Sequence, residues 1–280
     1  MSEVERQILA SNPIMEAFGN AKTTRNDNSS RFGKYIEVCS FLGCAAKLSV
    51  QILFDNSNEI VGARIRTYLL ERSRLVYQPE SERNYHIFYQ LLAGAPSKER
   101  KDLSLGTDHD AFAYLAGGGP TSTPIPGVDD VKEFRDTQTA LSTVGIAVER
   151  QWHIFRLLAA LLHLGNIKIT QSRTDAVLAD DDPALALATD LLGLPAGEFK
   201  KWTIKKQLIT RSEKIVTALG SAQASVVRDS VAKFVYSCLF DWLVGVVNES
   251  LSGEGGSGAE RATKFIGVLD IVGASPEAYS

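Results

Sequence analysis

The sequence predicts an α/β chain in which helix predominates. Three observations predict this. Apolar residues recur at three- and four-residue intervals over 83–93, 149–164 and 222–251, the period of helices with one buried face. Lys264 to Ile271 is a short apolar run with β-branched residues, the pattern of a buried strand. Apolar residues make up 44% of 280 residues, enough for a real core in one large or two small domains.

The first helix is expected from Glu3 to Phe18, with Pro13 breaking it or starting a new first turn. A polar loop follows, and 35–54 reads as strand. From Ile60 the alternation gives way to a helical pattern that reaches Leu75. Arg83 to Ala93 is a helix whose Tyr85, Phe88, Tyr89 and Leu92 belong to the core. Gly117, Gly118 and Gly119 with three prolines make 116–128 a turn-rich surface loop; no Lys-Ser/Thr follows, so the triglycine is no phosphate cradle. Helices follow at 131–144 and 149–164, the second stopped by Gly165-Asn166. His153 and His163 on it have no carboxylate or cysteine cluster beside them and are structural. Asp180-Asp181-Asp182-Pro183 is a helix start, since acids favour the first turn and proline fits at its beginning. Ala222 to Leu251 is one long amphipathic helix, roughly 45 Å if unbroken, with Val227, Val231, Phe234, Val235, Cys238, Leu239, Trp242, Leu243 and Val246 at helical spacing. The glycine-rich 252–258 is a surface loop.

A net charge of −3, with both signs spread along the chain, argues against a nucleic-acid binder and a basic membrane-surface protein. Cys39, Cys44 and Cys238 form no zinc pattern with the four histidines, and three cysteines in this length suggest a reducing compartment. The start, Met-Ser-Glu-Val-Glu-Arg-Gln, is no signal peptide, and no uncharged apolar run reaches the length of a membrane span. The expectation is a soluble, cytoplasmic protein.

The most informative stretch is 26–34: Asn26, Asp27, Asn28, Ser29, Ser30, Arg31, Phe32, Gly33, Lys34. Two hydroxyls, two amides, a guanidinium and an ammonium in nine residues suit a loop that closes over a polyphosphate and its magnesium ion. A solvated polar loop has the same composition. The string from Ser11 to Lys34, however, closely resembles the switch I region of the myosin motor. The resemblance continues in order through 64–74, 82–94, 161–167 (Leu-Leu-His-Leu-Gly-Asn-Ile) and 265–271 (Phe-Ile-Gly-Val-Leu-Asp-Ile), and covers nearly the whole chain. In detail it is most similar to a class V, fungal-type heavy chain.

The resemblance implies a partial motor domain over 1–280: the mainly helical upper subdomain of a head related to P-loop NTPases, around strands of an incomplete central mixed sheet. It implies ATP and Mg²⁺ as cofactors of the complete motor and actin filaments as partner. Ser30 matches the magnesium ligand, Ser29 the serine touching the γ-phosphate and attacking water, and Asn26 an asparagine bonding the phosphates. Asn28 and Lys34 belong to the same nucleotide-facing loop. Arg31 matches the arginine that locks this loop to switch II through a glutamate. Asp270 to Gly273 match the beginning of switch II, with Asp270 in the outer magnesium shell and Gly273 offering its N–H to the γ-phosphate. The match then departs, because Ser275 stands where the family carries the glutamate. Arg31 is then expected to lose its buried partner or to turn to water.

No Gly-x-x-x-x-Gly-Lys-Ser/Thr occurs in the chain, and the adenine segment, relay, converter, light-chain helix and dimerising tail of the family are missing too. The expectation is therefore a fragment that is not catalytic alone: a noncatalytic actin- or protein-binding remnant, or an inert gene-model product. The strand at 264–272 would be left with a bare apolar edge, prone to association. Residues 39–50 interrupt the family pattern, and two readings stay open: a retained intron, or a genuine loop insertion tolerated at modest entropic cost. Finally, 209–222 resembles the actin-facing surface loop, with Arg211, Glu213 and Lys214 on it. Glu213 holds the position that the family keeps acidic or phosphorylatable.

Overall fold

The computed structural model describes residues 3–34, 50–54, 60–65, 67–68, 70–120, 122–209, 213–252 and 264–268. The first helix, α1 (Glu3–Gly19), runs through Pro13 without a break. Proline removes one N–H from the helical ladder, but Ile14, Met15, Ala17 and Phe18 on the following turn are all buried. Their burial, about 1.5–3 kcal/mol for each large side chain, outweighs the one missing bond. This corrects the expected break.

After α1 come two-residue strands β1 (Asn20–Ala21), β2 (Ser29–Ser30) and β3 (Gly33–Lys34), then β4 (Val50–Phe54), β5 (Ile60–Ile65) and β6 (Thr67–Tyr68). β1 pairs with β2 and β3 with β6, both antiparallel. Among the described residues the helix expected before Leu75 is absent: β5 and β6 are strands, and Arg72–Leu75 makes only a 3₁₀ turn. Extension is favoured there because β6 pairs with β3 and Glu71 N donates to Arg31 O at 2.8 Å.

The next helices are α2 (His86–Gly94), α3 (Ser97–Asp102), α4 (Asp130–Thr143) and α5 (Val148–Gly165). α2 starts later than the periodicity suggested, because Arg83 and Asn84 are held elsewhere. Asn84 Nδ2 donates to Leu75 O and Tyr114 O, each at 2.8 Å, and the fully buried Arg83 donates to Asp130 Oδ2 at 2.8 Å. The described residues of 116–128 form turns and a 3₁₀ turn, and Gly118 packs so tightly that a Cβ would lie 1.9 Å from Glu82 O. α4 is capped by Asp129, whose Oδ1 accepts from Val131 N and Lys132 N.

Next come the hairpin β7 (Ile169–Ser172) with β8 (Asp175–Leu178), then α6 (Pro183–Leu192) and α7 (Ala196–Ile204). Asp182 caps α6 as expected: Oδ1 accepts from Leu185 N at 2.9 Å, while Oδ2 accepts from Lys168 N. Gly193 stops the helix at φ +67°. The stretch expected as a loop ahead of the long helix is a second hairpin, β9 (Lys205–Ile209) with β10 (Lys214–Ala218). α8 (Ser221–Leu251) then runs 31 residues unbroken, and β11 (Lys264–Val268) completes a three-stranded antiparallel sheet of order β11-β4-β5. β11 thus holds an edge position among the described strands.

The core lies where α5 and α8 meet α1 and α2. Tyr236 on α8 stacks on Tyr85 and Phe88, with centroids 4.9 and 5.6 Å away, and donates to Phe18 O at 2.7 Å. The buried stripe of α8 is Ala232, Tyr236, Leu239, Phe240, Leu243 and Val247. Phe234 and Trp242, expected inside, are exposed, since the stripe is centred on Tyr236. By length and composition α8 could cross a membrane (mean hydropathy 1.5), a qualification to the expectation that no segment does; 44% of that window is buried inside this fold. At its far end Asn248 mimics a neighbouring strand. Its Oδ1 accepts from Ile65 N and its Nδ2 donates to Ile65 O, both at 2.6 Å, so the rim of β5 is satisfied there.

Candidate functional site

The 26–34 segment is the return limb of a small hairpin. β1 and β2 place Asn20 opposite Ser30 and Ala21 opposite Ser29. The turn between them is held by its own polar groups. Thr23 N donates to Asn26 O at 2.8 Å, Asn26 N to Thr23 Oγ1 at 3.1 Å, and Asn28 N to Asn26 Oδ1 at 2.9 Å. Such local side-chain bonds are why Asn and Thr favour turns. Asn28 also ties the turn to the helix before it: Nδ2 donates to Glu16 Oε2 and Oδ1 accepts from Asn20 Nδ2, each at 3.0 Å.

Both ends of the hairpin are clamped. Arg31 N donates to Gly19 O, and Thr24 N to Glu82 Oε1 at 3.3 Å. Phe32 sits against Phe240 of α8 with centroids 5.2 Å apart, and a Cβ on Gly19 would lie 2.3 Å from the Phe32 ring. Gly19 is therefore required by close approach.

Arg31 does not turn to water. Its Nε donates to Glu71 Oε2 at 2.6 Å and its Nη1 to Ser29 Oγ at 3.3 Å. Glu71 also accepts from Arg74 Nε at 2.9 Å, and Arg74 pairs with Glu82 at 2.8 Å. Four charges alternate in a chain that joins the two ends of the hairpin. Burial alone would raise the Glu71 carboxyl, but the hydrogen bonds from Arg31 and Arg74 prevail and hold it below the usual carboxylate range. Burial likewise opposes the charge on Arg74, and its bonds to Glu71 and Glu82 prevail to raise it. Beside them, burial and then the Glu71 charge push the Tyr85 hydroxyl well above its usual range, so it stays a donor, to Glu71 O at 2.8 Å.

Ser30 is half-buried and opens on a cavity of about 200 Å³ shared with Asn12, Glu16, Asn20 and Asn28. Asn20 is buried and its Oδ1 has no hydrogen-bond partner among the described residues. A hydroxyl and an orphaned amide oxygen are hard oxygen donors of the kind magnesium takes. The volume suits a phosphate–metal head group rather than a whole nucleotide.

The residues singled out in the sequence are thus partly brought together. Asn28, Ser29, Ser30 and Arg31 converge on one hairpin. Asn26 is exposed at its turn, and Lys34 takes part through its backbone pairing with Thr67. Asp270 and Gly273, the 39–49 part of the interruption, and Arg211 lie outside the described residues. Glu213 and Lys214 are exposed on the β9–β10 hairpin and do not line this cavity. Sequence reasoning missed Glu71, Arg74, Glu82 and Asn20. The opposite charges of Glu71 and Arg74, three residues apart, were the one available signal.

The family model for the myosin head (motor domain) matches residues 1–276. The chain belongs to the myosin head family. It is 58% identical over 273 residues to Myosin-2 of Saccharomyces cerevisiae, covering 98% of this chain and 16% of that protein. It is 53% identical to Myosin-4 of the same yeast, over 98% of this chain and 17% of that protein. It is 50% identical to Myosin-52 of Schizosaccharomyces pombe, again over 98% and 17%. This myosin head chain therefore spans about a sixth of the length of the curated relatives it matches, and those relatives are fungal myosins.

Proposed function

We propose that this chain is the part of an actin-based motor head, of a class V fungal-type heavy chain, that closes over a triphosphate–magnesium group. One observation carries the reading: the Ser30 hydroxyl shares a cavity with the orphaned oxygen of Asn20, on a hairpin clamped at both ends. Magnesium, when bound, neutralises charge between the β- and γ-phosphates. Ser30 is the residue to ligate it, with Asp270 in the outer shell. Ser29 and the Gly273 N–H serve the γ-phosphate and the attacking water, and Asn26, Asn28 and Lys34 serve the phosphates. With Ser275 in place of the family's glutamate, the lock on Arg31 falls to Glu71. In the whole motor, light chains and a dimerising tail would be further partners, and the location would be the cytoplasmic actin cytoskeleton.

The isolated 280-residue chain is not an ATPase in this reading, because it holds no phosphate-loop motif. Its own activity is then contact with actin. The β9–β10 hairpin supports this, since it exposes Leu208, Ile209, Ile215 and Val216 beside Lys205, Lys206 and Lys214.

Two measurements test these statements. With residues 11–34 of this chain grafted into yeast Myosin-2, magnesium-dependent ATP hydrolysis is expected to persist and to fall about 100-fold or more on Ser30→Ala; an unchanged rate removes Ser30 from the site. In cosedimentation, the isolated chain is expected to pellet with actin filaments and to do so less as Glu213→Lys. No pelleting above background would leave it an inert piece.

A further inference from the structure

The hairpin that carries Ser29 and Ser30 is too small to hold its own shape. β1 and β2 pair over two residues each, and even a longer two-stranded ribbon is marginal in water. Its geometry is set by what each limb is fastened to. On the outgoing limb, Ala21 bridges Tyr85, Arg83 N donates to Lys22 O at 3.1 Å, and Thr24 N donates to Glu82 Oε1 at 3.3 Å. On the return limb, Glu71 N donates to Arg31 O at 2.8 Å and Arg31 Nε donates to Glu71 Oε2 at 2.6 Å. The two anchors, Glu71 and the 82–85 segment, are separate in the sequence.

One side chain meets both anchors. Arg74 is 4% exposed, and each of its three guanidinium nitrogens has its own acceptor. Nε donates to Glu71 Oε2 at 2.9 Å, Nη1 donates to Arg83 O at 3.1 Å, and Nη2 pairs with Glu82 Oε2 at 2.8 Å. A planar fork fixes the relative placement of its acceptors as well as supplying charge. Tyr85 and Asn84 tie the same two anchors through main-chain oxygens: the Tyr85 hydroxyl donates to Glu71 O and Asn84 Nδ2 to Leu75 O, each at 2.8 Å. Those bonds hold the backbone of the anchors. Arg74 holds the two carboxylates that grip the limbs.

We propose that Arg74 is a positioning residue for this hairpin: by fastening both limbs it makes them close, and open, as one unit. The coupling stands on the contacts alone; that it serves a triphosphate–magnesium group rests on the nucleotide reading.

Hydrogen exchange on the purified 280-residue chain tests the coupling. The amides of Thr24 and Arg83 report the outgoing limb, those of Arg31 and Glu71 the return limb, and those of α6 serve as a remote reference. Glu71→Gln is expected to speed exchange about tenfold or more on the return limb alone, Glu82→Gln on the outgoing limb alone, and Arg74→Met on both, with α6 unchanged. Tyr85→Phe, which spares the carboxylates, is expected to leave both limbs protected. Should Arg74→Met loosen α6 as well, the double variant Glu71→Gln with Glu82→Gln takes its place and is expected to free both limbs. Release of a single limb by Arg74→Met or by the double variant, or of both limbs by Tyr85→Phe, would overturn the proposal. In yeast Myosin-2 carrying residues 11–34 and 70–85 of this chain, Arg74→Met is expected to raise KM for magnesium–ATP about tenfold or more. Misfolded protein would lower kcat instead, and an unchanged KM counts against the positioning role. An unchanged rate on Ser30→Ala fails the nucleotide reading and leaves the exchange result standing.

Discussion

Arg31 and Glu71, forty residues apart in the chain, form a 2.6 Å ion pair that joins the Ser29–Ser30 strand to the 3₁₀ turn beyond β6. Glu71 serves Arg74 as well, and Arg74 is only 4% exposed. Removing Glu71 therefore strands more buried charge than removing Arg31. Glu71→Ala is expected to cost about 1–3 kcal/mol, and Arg31→Ala, whose loss leaves Glu71 paired with Arg74, less than about 1 kcal/mol. Urea unfolding of both variants decides it; equal costs would contradict the network.

Tyr236 is buried on α8, and burial, followed by the neighbouring Tyr85, pushes its hydroxyl far above the usual range. It remains a donor to Phe18 O at 2.7 Å. Tyr236→Phe keeps the rings stacked but leaves that carbonyl unanswered, at an expected cost of about 1–2 kcal/mol. A neutral substitution would show that the carbonyl finds another donor.

Gly19 faces the Phe32 ring so closely that an added methyl must displace it. Gly19→Ala is expected to destabilise by about 1–3 kcal/mol, and Phe32→Leu in the same chain to recover part of the loss. A double variant whose costs simply add would mean the two positions are not in conflict.

His86 predicts an acid sensitivity. Its folded pKa of about 3 lies below the ordinary 6.5, so the unfolded chain binds a proton that the folded chain refuses. Its contribution is complete above pH 6.5 and is lost as pH falls toward 3, at about 1.4 kcal/mol per pH unit for one proton. His163, lowered by burial against a weaker raising bond to Leu103 O, acts in the same direction. Stability curves for the parent and for His86→Gln should therefore diverge below pH 6.5; curves of equal slope would refute the assignment.

Much of this fold can be read from its residues because the signals are local. Asp182-Pro183 and Gly193 bracket α6 by capping chemistry alone, and the length of α8 follows from a helical apolar period over 222–251 that carries on through Gly245. The β7–β8 hairpin gave no such signal: Arg173 takes φ +55° in a turn that usually calls for Asn or Gly. Pro13 misled because tertiary burial overrode a local penalty, and Phe234 because periodicity marks a face without saying which way it turns. At the site, the hydroxyls and Arg31 stood out as one string. Glu71, Arg74 and Glu82 did not, since each reaches that string only after the chain has folded back on itself.

Asn248 makes the last turn of α8 an extra rung of the sheet, through its paired bonds to Ile65. A helix of 31 residues is roughly 45 Å long. Sliding it by a single turn would break both bonds at once, so no gradual slippage is open to it. Ile65 and Asn248 therefore keep step, and the register of α8 against β5 is all or nothing.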